Sequence, residues 1–168
     1  MDILRKLMEA TLCPIDKPSA YGLFHILFCL ITIIAFVLIC YFSRKCSDKT
    51  FRIVMLSVGT FLILAEIYKH FYYALAYNYD GTISVKYEWD IFSFQLCSVP
   101  MYLSFAIGFM KKSKLRNTIC EYLVSIGFLS GIMAYLEPSG ILHDDLFKLL
   151  HSSIWHALLI FIALFIIL

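Results

Sequence analysis

The stretch FLILAEIYKHFYY, residues 61–73, decides the fold. Apart from Glu66, Lys69 and His70 it is aliphatic or aromatic, and the apolar pattern continues on both sides to cover residues 52–77. A soluble helix of that length shows a polar face; here residues 61–73 hold only three ionisable groups, Glu66, Lys69 and His70, in an otherwise continuous apolar run. The whole chain follows suit. It is 61% hydrophobic and 15% charged, with a mean hydropathy of +0.83, far from the balance of a soluble domain. The chain reads as a membrane protein.

Lipid offers the backbone no hydrogen-bond partner, so a crossing segment closes its own bonds as a helix, and about 20 apolar residues suffice. Five such segments are predicted, at residues 21–42, 52–77, 90–110, 120–136 and 146–168. The fold class is therefore all-α, a polytopic transmembrane helical bundle over residues 21–168. Residues 1–20 form a separate N-terminal segment. Its Ile3, Leu4, Leu7, Met8 and Leu12 fall at near-helical spacing, which fits a short helix lying in the interface or, equally, an unstructured tail. No cleavable signal peptide is evident there. The last span ends in LLIFIALFIIL with no polar flank, the pattern of a chain cut short.

The basic residues fall in two loops. Arg44, Lys45, Lys49 and Arg52 lie between the first two spans; Lys111, Lys112, Lys114 and Arg116 lie between the third and fourth. The other loops carry Asp80, Glu88 and Asp90, then Glu137, Asp144 and Asp145. The positive-inside rule makes the basic loops cytoplasmic and puts the N-terminus outside a cell membrane. The net charge of +2 is then a topology signal and gives no evidence for nucleic-acid binding; the expected partners are membrane lipids, with no nucleic acid. The six cysteines show no CxxC pair and no zinc-like spacing, so most pack as small apolar side chains. Neither a metal nor another cofactor is implied. His70, His151, His156, Glu66 and Asp90 supply ligand types, but at no metal-binding spacing.

With that orientation, depth follows from a rise of about 1.5 Å per residue. Glu66 lies about 16 Å below the outer boundary, Lys69 about 12 Å and His70 about 10 Å. Gln95 and Cys97 lie about 8 to 10 Å down, His151 about 8 Å and His156 about 15 Å. Three spans thus bring polar groups to one slab in the outer half of the bilayer. An unpaired charge there costs about 3 kcal/mol, so Glu66 and Lys69, three apart on one face, are expected to pair inside the bundle. The structural alternative is an ion pair that clamps two helices, and for His70 a place in the aromatic belt with Tyr72, Tyr73 and Tyr77. HSSIWHALL puts Ser152 and His156 on one helical face, and His151 and Trp155 on another. Pro100, inside the third predicted span, is expected to kink it just past Cys97.

These same positions resemble the YwaF family of bacterial integral membrane proteins and, more distantly, eukaryotic transmembrane acyltransferases that remodel ether phospholipids. The resemblance runs from about Leu64 to Leu168. It rests on Glu66 and Lys69, on FSFQLC ending at Cys97, on VSIGFLSGIMAYLEPSG with Gly127, Gly131 and Pro138, and on HSSIWHALL with His156. Ser93 stands where the family usually has proline, and Gln95 where a histidine or another polar ring is common. Phe94 stands where the acyltransferases carry their reactive cysteine, so Cys97 is a neighbour of that position. The resemblance implies a bundle with more helices than five.

Two functions fit the constellation. In lipid acyl transfer or hydrolysis, Cys97 is the nucleophile and His156 its general base, and Lys69 or Gln95 steadies the oxyanion while Glu66 holds Lys69. In a binding or transport component, Glu66, Lys69, His70, Gln95, His151 and Ser152 hold a lipid or a small polar ligand, or relay protons.

Overall fold

A computed structural model describes residues 3, 6, 10, 13–43, 46–76 and 95–168. Among the described residues five α-helices follow one another: α1 (Leu23–Ser43), α2 (Asp48–Ala76), α3 (Val99–Phe109), α4 (Lys114–Leu136) and α5 (Leu146–Ile167), with a 3-10 turn at Pro138–Gly140 between the last two. Four of them, all except α3, are long and apolar enough to cross a membrane. The protein is an all-α helical membrane bundle. Leu4, Leu7, Met8 and Leu12 of the expected interfacial helix lie outside the described residues, as does the part of the third predicted span before Gln95.

The helices start where local chemistry lets them. Ser47 opens α2, its hydroxyl accepting from Thr50 N at 3.1 Å. Ser113 opens α4 and accepts from Arg116 N at 3.2 Å. Asp145 opens α5 and accepts from Lys148 N at 3.1 Å. Such oxygens satisfy amides that the first turn leaves unpaired. They start α2 and α4 several residues before their apolar runs, because a cap and a polar first turn carry no hydropathy signal. Residues 95–98 form a turn and α3 begins only at Val99, with Pro100 in its first turn. The expected kink is therefore absent: in the first turn a proline breaks no intrahelical bond.

The packing is tightest where side chains are smallest. A Cβ on Gly59 would sit 2.5 Å from Phe105 N, and one on Gly108 would sit 2.8 Å from Leu56 Cβ. The α2 and α3 backbones therefore touch almost directly. α4 and α5 make the same approach, with Gly127 and Gly131 against the carbonyls of Leu159 and His156, the close packing that small residues permit in lipid. Met55, Leu62, Met101, Ile107, Leu123, Leu159 and Ile162 form the main core. α1 packs chiefly against α5, and its Leu30, Ile31, Ile34 and Val37 are exposed, as lipid-facing side chains are.

The chain runs back and forth, so the ends of its helices form two layers. At the first, Arg52 donates to the carbonyls of Gly108 and Phe109 at 3.1 and 3.2 Å. Arg116 meets Asp48 at 2.8 Å, donates to Met110 O at 3.2 Å and lies 4.5 Å over the Phe51 ring. At the second, the segment after Cys13 is tied to the turn before α5. Leu146 N donates to Cys13 O at 2.9 Å and Ile15 N to Asp144 O at 3.0 Å, and Cys13 N donates to the Asp145 carboxylate at 3.2 Å. The polar residues of α2 and α5 face each other near this second layer.

Candidate functional site

Glu66 is 4% exposed. Its Oε1 is 2.6 Å from Lys69 Nζ and 3.5 Å from His70 Nε2. The i, i+3 and i, i+4 spacings that set these contacts are fixed by the helix itself. Burial of the carboxylate and partial exposure of its two partners give the cluster direction: the anion lies inside and the donors lie toward the edge.

Gln95 and Cys97 come from the turn that precedes α3. The Cys97 thiol donates to Gln95 Oε1 across 3.6 Å, a long but sulfur-compatible contact. Its backbone carbonyl accepts from Trp155 Nε1 at 3.1 Å, which pins the turn to α5. Charges on Lys69 and Glu66 both reach the thiol. The charged pair of α2 is therefore felt at the turn before α3.

α5 presents two faces. On one, the His151 ring stacks on Trp155 at 5.4 Å and lies 5.9 Å from Phe147. Phe147 in turn packs on Tyr68 at 4.8 Å and Tyr72 at 4.7 Å. This face looks at α2, and Lys69 and Glu66 act electrostatically on His151 as well. His151 Nε2 is buried with no hydrogen-bond partner. On the adjacent face, His156 Nδ1 donates to Ser152 O at 2.8 Å, and the Ser152 hydroxyl lies 3.0 Å from His143 Nε2. The Glu66–Lys69 pair thus acts electrostatically on both Cys97 and His151, with His70 beside Glu66 and Gln95 bonded to the Cys97 thiol. Ser152 and His156 lie a third of a turn away, and among the described residues no hydrogen bond joins His156 to Cys97.

Trp155 and His143 were not singled out as site residues by the sequence, yet Trp155 locates Cys97 and His143 anchors Ser152. The i, i+4 spacing of His151 and Trp155 carried a signal for the first. His143 had none, because it reaches Ser152 only through the fold of the turn. Among the described residues no three His, Cys, Asp or Glu side chains gather to hold a metal ion.

No curated protein matches the chain, and no solved structure does. Residues 20–168, which take in all five helices and every residue of the polar site, match one family along their whole length. The chain belongs to the TMEM164 family, a family of transmembrane proteins.

Proposed function

We propose that this membrane protein carries out acyl transfer or hydrolysis on lipids, with Cys97 as nucleophile. The supporting observation is the convergence of a thiol, an imidazole and a buried Glu66–Lys69 pair from three elements, with His151 Nε2 left without a partner. The Cys97 sulfur attacks an ester carbonyl of the lipid, and the thiol proton passes to an imidazole. Lys69 and the Gln95 amide donate to the oxyanion. Collapse breaks the carbon–oxygen bond, and the imidazolium returns its proton to the leaving alkoxide. The thioester then passes its acyl group to an acceptor hydroxyl, or to water, and the thiol is restored.

His156 is the base that the sequence pattern points to, while the contacts support His151, whose face of α5 looks at α2 and the Cys97 turn. The likeness to YwaF proteins and to ether-phospholipid acyltransferases belongs to the same reading. So does the orientation, with the site in the outer half of the bilayer and the basic loops cytoplasmic. It draws support from the gathering of Arg52, Arg116 and the first turn of α4 at the end opposite the site. A second reading, binding or transport of a small polar solute or proton, is favoured by one feature: Glu66 touches both Lys69 and His70 in the manner of a proton-sharing cluster.

The test is labelling of Cys97 in membranes by a reactive fatty-acyl ester. Loss of the thioester in Cys97→Ala, with at least a tenfold slower reaction in His151→Gln or His156→Gln, supports acyl chemistry and names the base. Labelling indifferent to both histidines and to Glu66→Gln sinks it in favour of the binding reading.

A further inference from the structure

The other side of α5 borders a second space. Leu164 lies nine residues beyond Trp155, half a turn round the helix, and with Ile160 it lines a cavity of about 350 Å³ between α1, α4 and α5. Cys29, Thr32 and Phe36 of α1 and Ile132 and Tyr135 of α4 complete its wall. The stretch from Cys29 to Phe36 rises about 10 Å, and the α4 wall is of similar height. The space is therefore elongated along the helix axes, the direction in which lipid chains run, and its lining is almost wholly apolar.

One turn above Cys29, on the same face of α1, stands His25. It is 5% exposed, and both of its ring nitrogens are buried without a hydrogen-bond partner. Its ring lies parallel to that of Tyr135 at 6.4 Å and is met edge-on by Tyr21 at 5.5 Å. The Tyr135 hydroxyl on the cavity wall is already matched, donating to Ser153 O at 2.8 Å. A neutral imidazole carries one donor and one acceptor, and leaving both unmatched inside a membrane protein is costly. An apolar slot with one unmatched donor above it suits an amphiphile whose chain fills the slot and whose carbonyl reaches the donor.

We propose that this cavity binds one acyl chain of a membrane phospholipid, with an ester carbonyl of that lipid at His25. The site lies across α5 from Cys97 and rests on the membrane location alone, independently of any acyl chemistry.

The test reconstitutes the protein into phosphatidylcholine vesicles in which part of the lipid carries a diazirine midway along one chain, with crosslinks mapped by mass spectrometry. Label at Thr32, Ile132 and Leu164 is expected in at least fivefold excess over label at Leu30 and Ile34, which are exposed on the same α1. Ile132→Trp, which fills the slot, is expected to cut label at Leu164 about tenfold and leave Leu30 and Ile34 unchanged. Leu164→Phe serves the same purpose if the first variant loses its helical circular dichroism. His25→Phe keeps the ring and removes both nitrogens, and is expected to lower the excess several-fold. Labelling should be unaltered in Cys97→Ala, so failure here is distinct from failure of the acyl-transfer reading. Equal label on all faces of α1 overturns the proposal as ordinary contact with surrounding lipid. Displacement of the phospholipid probe by an equal amount of oleate overturns it in favour of a free fatty acid.

Discussion

Glu66 contacts Lys69 at 2.6 Å and His70 at 3.5 Å, and a single neutral replacement exposes what that pairing does. Glu66→Gln leaves Lys69 charged and only partly exposed with no counter-ion, so a loss of about 3 kcal/mol is expected in equilibrium unfolding in detergent. The double variant Glu66→Gln/Lys69→Met should recover much of that loss, since it removes the stranded charge as well. Additive losses would show that the two side chains do not act as a pair. His143 lies outside the spans, and burial, then Lys148 and Lys17, push its pKa below the ordinary value against the weaker pull of Asp144 and Asp145. The native state thus favours neutral imidazole. The stability this contributes is complete above the unfolded value of about 6.5 and is lost as pH falls through the lower folded value. Thermal melts from pH 8 down to 5 should show a fall in Tm that is shallower in His143→Gln. A parallel fall in both proteins would remove His143 as the cause.

At the scale of helices, the α2–α3 pair depends on the absence of a side chain at Gly59. Gly59→Ala puts a carbon 2.5 Å from Phe105 N, backbone that cannot swing aside. The helices must separate, at a cost of about 1–3 kcal/mol in unfolding measurements. A fully tolerated alanine would mean that the two helices are not packed this closely. The basic end has its own clamp. Arg116 is buried, paired with Asp48 and bonded to the Met110 carbonyl at the end of α3, so Arg116→Met is expected to cost about 2 kcal/mol. Asp48 is itself one-third exposed, which keeps the figure modest. Hydropathy located the four long helices, because lipid solvation selects composition over a whole span. It misjudged the third, where an 11-residue helix follows a local turn and is pinned at both ends by tertiary bonds: Trp155 to Cys97 O at the turn, and Arg52 to the carbonyls at the other end. Those partners lie more than fifty residues away, and no local pattern announces them.

For the molecule as a whole, the polar site was partly legible for a physical reason. Ionisable groups in lipid must face inward, so depth and spacing point to which groups share a face: Glu66 pairs with Lys69, and the pair acts electrostatically on Cys97 and His151. Rotation about each helix is another matter, since a third of a turn separates His151 from His156 and depth says nothing about it. Orientation in the membrane is the remaining property of the whole molecule, and two of its own cysteines can report it. Cys13 and Cys46 are both exposed. Cys13 is tied to the turn before α5, at the end bearing the polar site, whereas Cys46 adjoins the first turn of α2, at the end bearing Arg52 and Arg116. If α1 crosses the bilayer, they lie on opposite sides of it whichever way the bundle is inserted. If the basic end is cytoplasmic, a membrane-impermeant maleimide applied to intact cells should modify Cys13 and reach Cys46 only after permeabilisation. The opposite result would invert the bundle and move the site to the inner half of the bilayer. Modification of both cysteines in intact cells would overturn the membrane-crossing arrangement of α1 itself, since that helix is all that separates them.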